Sequence, residues 1–127
     1  MKAIVIDDSR TMRRIISSIL KGVGYEVLEA GDGREALDIL TENPDTDLCC
    51  IDWNMPVMDG LSFVIEVRAS REWRNTTLMM VTTESERGQI VKALAAGAHE
   101  YLINPFTPEA ILQKLELLGL LPIEENA

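Results

Sequence analysis

Near the middle of the chain lies the segment Cys49-Cys50-Ile51-Asp52-Trp53-Asn54-Met55-Pro56-Val57-Met58-Asp59-Gly60. Its apolar start, which extends back to Leu48, ends at the carboxylate of Asp52. A turn that contains proline and glycine follows at once, and a helical pattern comes after the turn. This order is typical of a buried parallel strand that carries one carboxylate to the edge of a sheet.

A second apolar run that ends in acids lies at the start of the chain, in Ala3-Ile4-Val5-Ile6-Asp7-Asp8. A helical pattern follows this run as well. A single acid at the end of a strand would more simply cap a helix or solvate a loop. Because parallel strands bring their carboxyl ends to one edge of a sheet, however, we expect the carboxylates of Asp7, Asp8 and Asp52 to meet in one pocket.

Apolar runs alternate with helical patterns along the whole chain. We predict five strands, at residues 3–7, 25–30, 47–52, 77–82 and 100–104. A helix follows each strand, and the predicted N-caps are Asp8 or Ser9, Asp32, Asp59, Ser85 and Thr107. This alternation predicts an α/β fold with a doubly wound parallel five-stranded sheet and helices on both faces. In the flavodoxin-like (βα)5 order 2-1-3-4-5, the first and third strands border the point at which ligands bind.

The spacing of apolar residues also predicts which side of each helix is buried. In the first helix the predicted buried stripe is Met12, Ile15, Ile16, Ile19 and Leu20. The basic residues of that helix fall mostly on the other side, and they are Arg10, Arg13, Arg14 and Lys21. In the fourth helix the predicted buried stripe is Ile90, Val91, Leu94 and Ala95.

Size and charge limit the classes of function. A chain of 127 residues suits one domain with one core. The net charge of −9 argues against nucleic acid and against anionic membranes as partners. No apolar run is long enough to span a bilayer and no signal peptide is visible, so we expect a cytoplasmic protein. The neighbouring Cys49 and Cys50 are expected to be packing residues.

Three clustered carboxylates suggest a particular chemistry. Because like charges repel, such a cluster either raises its own pKa values or binds a cation. A few carboxylate oxygens suit Mg²⁺, and an aspartate can attack phosphorus to form an aspartyl phosphate. We interpret Asp52 as a phosphoryl acceptor, with Asp7 and Asp8 helping to hold the metal. Thr82, at the end of the fourth strand, can offer its hydroxyl to a phosphoryl oxygen.

Short motifs that span the chain carry a family resemblance, and they are Val5-Ile6-Asp7-Asp8-Ser9, Asp52 to Gly60, Met80-Val81-Thr82, Gly97-Ala98 and Pro105-Phe106. In their order and spacing, these motifs resemble the receiver domain of two-component response regulators. The segments Thr11-Met12-Arg13-Arg14 and Trp53-Asn54 are most similar to the single-domain chemotaxis regulators of that family. The resemblance implies one receiver domain over residues 1–127, with a core at about 2–120 and a short acidic tail.

The resemblance also implies roles for particular residues. Asp52 would take a phosphoryl group from a sensor histidine kinase or a phosphotransfer protein. Asp8, Asp52 and the backbone carbonyl of Asn54 would bind Mg²⁺, with Asp7 helping through water. Thr82 and Tyr101 would then move inward as switch residues. A downstream protein would bind the altered face formed by the fourth helix, the fifth strand and the fifth helix.

One residue departs from the family pattern. The family has a lysine directly before Pro105-Phe106, where this chain has Asn104. Asparagine is uncharged and shorter, so it would reach a phosphoryl oxygen only through water. We therefore expect tighter Mg²⁺ binding, a less stabilised phosphoryl group and altered coupling to the partner-binding face. By analogy with the family, the Asn104–Pro105 bond is expected to be cis.

Four alternative functions are consistent with at least some of these residues. The first is a phosphorylation-controlled binding module, which is not a metabolic enzyme and at most phosphorylates and dephosphorylates itself. The second is a pseudo-receiver that docks constitutively because Asn104 disables its switch. A Mg²⁺-dependent phosphatase would usually carry a second aspartate at the position of Asn54, as well as a cap domain. A flavin carrier of similar topology would not place acids after its first strand, because they repel phosphate.

Overall fold

The computed structural model of the chain describes residues 1–122, so the acidic tail predicted beyond residue 120 lies largely outside it. Within this range the strands are β1 Lys2–Ile6, β2 Glu26–Ala30, β3 Leu48–Ile51, β4 Thr77–Thr82 and β5 Glu100–Ile103. The helices are α1 Arg10–Gly22, α2 Gly33–Glu42, α3 Gly60–Arg68, α4 Arg87–Ala96 and α5 Pro108–Leu117, with a short 3-10 helix at Arg71–Trp73. Among the described helices, none has the length and apolar content needed to cross a bilayer.

The sheet is parallel throughout and has the order β2-β1-β3-β4-β5, which confirms the predicted topology. Its register aligns the carboxyl ends of the three central strands. Ile6 of β1 pairs with Ile51 of β3, and Ile51 pairs with Met80 of β4. Residues that follow these positions therefore leave the sheet at the same edge.

Helices cover both faces of the sheet, as predicted. Alternate strand residues point to opposite faces, so Cys49 packs into one hydrophobic cluster and Cys50 into the other. The first cluster includes side chains of α2, α3 and α4, whereas the second includes those of α1 and α5. Both cysteines are buried and unpaired by disulfides, in agreement with a packing role.

Four of the five predicted helix caps are present. The side chains that accept a hydrogen bond from an amide of the first helical turn are Ser9, Asp32, Asp59 and Thr107. The prediction that Ser85 caps α4 is wrong, because α4 begins at Arg87 and its N-cap residue makes no side-chain cap bond. The loop before α4 turns differently: Thr82 Oγ1 accepts a hydrogen bond from the Glu84 amide at 3.3 Å.

The predicted buried stripes are partly wrong. Ile15 of α1 is 45% exposed, since it lies at the border of the stripe. In α4 the buried residue is Ala93, whereas Val91 and Leu94 are 59% and 43% exposed. The prediction followed helical spacing, but Ala93 packs inward with Ile90 partly buried beside it, and Ala95, which was also predicted to be buried, is exposed.

Candidate functional site

A cavity of about 260 Å³ opens at the carboxyl ends of β1, β3 and β4. The strand ends, the start of α1 and the loop after β5 supply its lining residues, which are Asp7, Asp8, Ser9, Met12, Asp52, Val81, Thr82, Thr83 and Asn104. Five of the seven predicted site residues are among them, whereas Asn54 and Tyr101 are not.

The register of the sheet brings the three acids together. Asp7 and Asp52 directly follow Ile6 and Ile51, which are paired across β1 and β3. The amide of Asp52 extends this pairing by donating to the carbonyl of Ile6 at 2.9 Å. One carboxylate oxygen from each of Asp7, Asp8 and Asp52 lies within 4.8 Å of the others.

The environment of Asp7 disfavours its charged form. This carboxylate is buried, and it accepts a hydrogen bond from the Ser9 amide at 2.8 Å. The pKa of Asp7 is raised to about 6, chiefly by burial and also by the negative charges of Asp52 and Asp8. The Ser9 amide and the positive charge of Arg13 act in the opposite direction. Burial is the largest of these effects, so a proton or a cation would stabilise this residue.

Asp52 is half-buried and is held from several sides. Its carboxylate accepts a hydrogen bond from the Trp53 amide at 2.8 Å. Burial raises the pKa of Asp52, and the charge of the exposed Asp8 adds to the effect. The Thr82 hydroxyl and the amides of Trp53 and Asn54 favour the charged form. The hydrogen bond from the Trp53 amide fixes the orientation of one carboxylate oxygen of Asp52.

The donor set of the cavity fits a hard divalent cation. Carboxylate oxygens are the preferred ligands of Mg²⁺, which takes one or two of them and keeps several waters. Among the described residues that line the cavity, none is basic. The three acids therefore lack a neutralising side chain in the cavity wall, and the residues present fit Mg²⁺ bound between them.

Thr82 and Tyr101 are connected through one residue of the loop after β4. Thr82 is buried, and its Oγ1 accepts a hydrogen bond from the Glu84 amide. Tyr101 is buried in the adjacent strand β5, and its hydroxyl donates to the Glu84 carbonyl at 2.7 Å. Burial, with the charges of Glu84 and Asp52, raises the pKa of Tyr101 to about 12. A displacement of Thr82 would therefore reach Tyr101 through Glu84.

Asn104 lies at the position where the family pattern has a lysine. The backbone amide of Asn104 donates to the Thr82 carbonyl at 2.8 Å, which extends the pairing of β4 and β5 by one residue. This bond places Asn104 at the rim of the cavity, opposite the acids of β1 and β3. The peptide bond to Pro105 is cis, as the resemblance implies.

Arg13 is a residue that the sequence analysis missed. Helical spacing places it on the solvent side of α1, but its side chain is only 19% exposed. Its Nη1 donates to the carbonyl of Asp7 at 2.6 Å, and its Nε donates to Glu29 at 3.2 Å. The available signal is the segment Thr11-Met12-Arg13-Arg14, which carries part of the family resemblance but was given no role in the site.

Gly60 is a second residue to which the sequence analysis assigned no role of its own. An added Cβ at Gly60 would lie 2.2 Å from the carbonyl oxygen of Asp52. The Gly60 amide also donates to the Trp53 carbonyl at 2.9 Å. The loop that carries Asp52 thus folds back onto the start of α3, and only glycine allows this approach.

Comparison with known proteins supports the resemblance. Residues 3–116 match the model of the response regulator receiver domain. The chain is 47% identical over 117 residues to a chemotaxis protein CheY homolog of Campylobacter jejuni, an alignment that covers 91% of this chain and 90% of that protein. It is 46% identical over 119 residues to chemotaxis protein CheY1 of Helicobacter pylori, with coverage of 93% and 96%.

A solved structure agrees with these sequence relatives. Chemotaxis protein CheY4 of Vibrio cholerae has a TM-score of 0.85 to this chain at 39% sequence identity. The superposition covers 91% of this chain and 96% of that one. The fold, the acidic cavity and the relatives over nearly their whole length lead to one assignment: the chain belongs to the response regulator receiver domain family and is a CheY-like member of it.

Proposed function

We propose that this chain is a response regulator receiver that accepts a phosphoryl group on Asp52 and signals through a changed partner-binding face. The observation that carries the proposal is the acidic cavity, in which oxygens of Asp7, Asp8 and Asp52 lie within 4.8 Å of one another. Thr82 lines the same cavity from the end of β4. The nucleophile Asp52, the other two acids and the Thr82 hydroxyl therefore share one space of about 260 Å³.

The transfer step uses the carboxylate of Asp52. One of its oxygens forms a bond to phosphorus while the bond from phosphorus to the donor histidine nitrogen breaks, and the electron pair returns to that nitrogen. Asp8, Asp52 and the backbone carbonyl of Asn54 would hold Mg²⁺, with Asp7 acting through water. When bound, the metal supplies positive charge that stabilises the transferring group. The Thr82 hydroxyl donates to a phosphoryl oxygen.

The signal leaves the cavity through the residues around Glu84. Thr82 and Tyr101 both contact Glu84, so a phosphoryl group that draws Thr82 inward changes the loop between β4 and α4. The face formed by α4, β5 and α5 lies beyond this loop. Val91 and Leu94 of α4 are exposed apolar side chains, which are of the kind on which a protein can dock.

The proposed partners are a sensor histidine kinase or a phosphotransfer protein on the input side, and a protein that binds the face of α4, β5 and α5 on the output side. Because the matched relatives are named chemotaxis proteins, we propose a chemotaxis pathway. Beyond self-phosphorylation and self-dephosphorylation, we propose no enzymatic activity.

Intact-protein mass spectrometry after incubation with Mg²⁺ and acetyl phosphate tests the acceptor chemistry. We expect the mass of one phosphoryl group to be added to the wild-type chain. Asp52→Asn is the matched control, since it keeps the shape of the side chain and removes the nucleophile. Addition to the control as well would place the acceptor elsewhere and overturn the assignment of Asp52.

A second candidate function is a pseudo-receiver, a docking module of the same fold with an impaired phospho-switch. The replacement of the family lysine by Asn104 favours it, since no basic residue is among those that line the described cavity. Mg²⁺ binding without phosphoryl addition in the experiment above would support this alternative. Phosphoryl addition without any change in tryptophan fluorescence or in the amide NMR spectrum would support it too, because phosphorylation would then cause no conformational change.

A further inference from the structure

We propose that Arg13 is a positioning residue for the metal-binding acids. It fixes the peptide group that joins Asp7 to Asp8, and in this way it sets the direction of both carboxylates. The inference rests on the proposed function, because it concerns the Mg²⁺ site on which that function depends.

Arg13 occupies the space between the ends of the first two strands. Its Nη1 donates to the carbonyl of Asp7 at 2.6 Å, and its Nε donates to Glu29 of β2 at 3.2 Å. Gly31, just after β2, borders the guanidinium, since an added Cβ there would lie 3.7 Å from Nη1. The Arg13 side chain is 19% exposed, whereas the next residue, Arg14, is exposed.

The bond from Arg13 acts on the peptide group between the two acids. The Asp7 amide donates to the Ala30 carbonyl at 3.1 Å, which anchors the backbone before this peptide. The Ser9 amide donates to the Asp7 carboxylate at 2.8 Å, which anchors the side chain. Arg13 holds the Asp7 carbonyl itself. The orientation of the exposed Asp8 follows from that peptide plane, so it depends on Arg13.

Charge and position would have opposite effects on the metal. As a positive charge near three acids, Arg13 repels a divalent cation, so its loss would tighten Mg²⁺ binding. As a positioning group, its loss frees the Asp7–Asp8 peptide and weakens binding. The ion pair with Glu29 offsets much of the charge. We therefore expect the positioning effect to dominate, and the sign of the change distinguishes the two.

Mg²⁺ titrations of Arg13→Gln, followed by Trp53 fluorescence, test the proposal. A Trp73→Phe background removes the second tryptophan, whose buried Nε1 has no hydrogen-bond partner to lose. Groups that orient metal ligands typically contribute tenfold or more in affinity, so we expect binding to weaken about tenfold. Arg14→Gln is the matched control, because it removes the same charge one residue later from an exposed position. It should stay within about twofold of the wild-type affinity.

Arg13→Lys provides a second variant that keeps the charge. Lysine lacks the planar fork that donates to Asp7 and Glu29 together, so we expect this variant also to bind Mg²⁺ more weakly than the wild type. Circular dichroism establishes that each variant is folded. Wild-type or tighter Mg²⁺ binding in either Arg13 variant would overturn the proposal.

The wild-type chain separates this inference from the proposed function. If the wild type neither binds Mg²⁺ nor gains a phosphoryl group from acetyl phosphate, the proposed function fails and the inference falls with it. If the wild type does both and Arg13→Gln matches it in Mg²⁺ affinity, only the role of Arg13 is refuted. If the wild type binds Mg²⁺ and gains a phosphoryl group, and Arg13→Gln binds Mg²⁺ more weakly, the proposed function and the role of Arg13 are both supported.

Discussion

Asn104 leaves the acids of the cavity without the ammonium group of the family pattern. In Asn104→Lys we expect the new cation to compete with Mg²⁺ for the carboxylates, so the Mg²⁺ affinity should fall about tenfold, equivalent to about 1.4 kcal/mol. Titration followed by Trp53 fluorescence measures the change. Asn104→Gln lengthens the side chain without adding charge and should keep the wild-type affinity. An unchanged affinity in the lysine variant would show that residue 104 does not govern metal binding.

The raised pKa of Asp7 makes the stability of the metal-free fold depend on pH. Its pKa is about 6 in the native chain against an ordinary value of 3.8, so the native state binds more protons than the unfolded chain between these values. The free energy of unfolding therefore falls as pH rises through this window, and it stays lower above the native pKa. The variant Asp7→Asn has no titratable carboxyl group at this position, so its free energy of unfolding should depend much less on pH in this window.

Urea unfolding without Mg²⁺, at about pH 5 and about pH 7.5, checks the prediction for Asp7. The quantity to compare is the difference in unfolding free energy between the wild type and Asp7→Asn at each pH. We expect this difference to favour the variant more at the higher pH. Asp52, whose pKa is raised as well, accounts for the dependence that remains in the variant. A difference that is independent of pH would contradict the raised pKa of Asp7.

At the scale of elements, β1, β3 and β4 follow from the sequence because a doubly buried strand reads as an unbroken apolar run. The run from Leu48 to Ile51 is wholly buried, and so is nearly all of β1. The buried face of α4 does not follow in this way. Ala93 lies inward and Leu94 outward, and Ile90 is partly buried beside Ala93. Apolar residues lie on several sides of α4, so their spacing alone does not select the buried face.

The loop between β3 and α3 contains a backbone conformation that its sequence does not favour. Val57 has a φ of 68°, although β-branched residues rarely adopt positive φ, and its side chain is 83% exposed. Asparagine tolerates this region better, so Val57→Asn should raise the free energy of unfolding by about 1 kcal/mol. Thermal and urea denaturation measure the effect.

Val91→Asn is the control for the Val57 prediction. Val91 is also exposed, at 59%, but it lies within α4, where asparagine has no conformational advantage. The same substitution there should leave stability unchanged or slightly lower. If Val57→Asn proves no more stable than the wild type, the strain at residue 57 is too small to matter.

At the scale of the whole molecule, the site is predictable where it depends on topology alone. Asp7 and Asp52 end strands that any parallel sheet of this order places side by side, so their meeting follows from the sequence. Tyr101 and Arg13 depend instead on tertiary hydrogen bonds, to the carbonyls of Glu84 and Asp7. Such bonds join residues through backbone groups, which have no signature in the sequence. The resemblance supplied Tyr101, and only the structure identified Arg13.

The charge of the molecule gives the last prediction. The chain has a net charge of −9, and three of its acidic residues, Asp7, Asp8 and Asp52, meet in one cavity. Mg²⁺ that binds only the folded chain should raise the free energy of unfolding, by about 2.7 kcal/mol at a hundredfold excess over its dissociation constant. NaCl at equal ionic strength screens the charge without binding and separates the two effects. Asp52→Asn should lose much of the Mg²⁺-specific part. Equal stabilisation by the two salts would mean that the cavity holds no metal, because screening alone would then account for the whole gain.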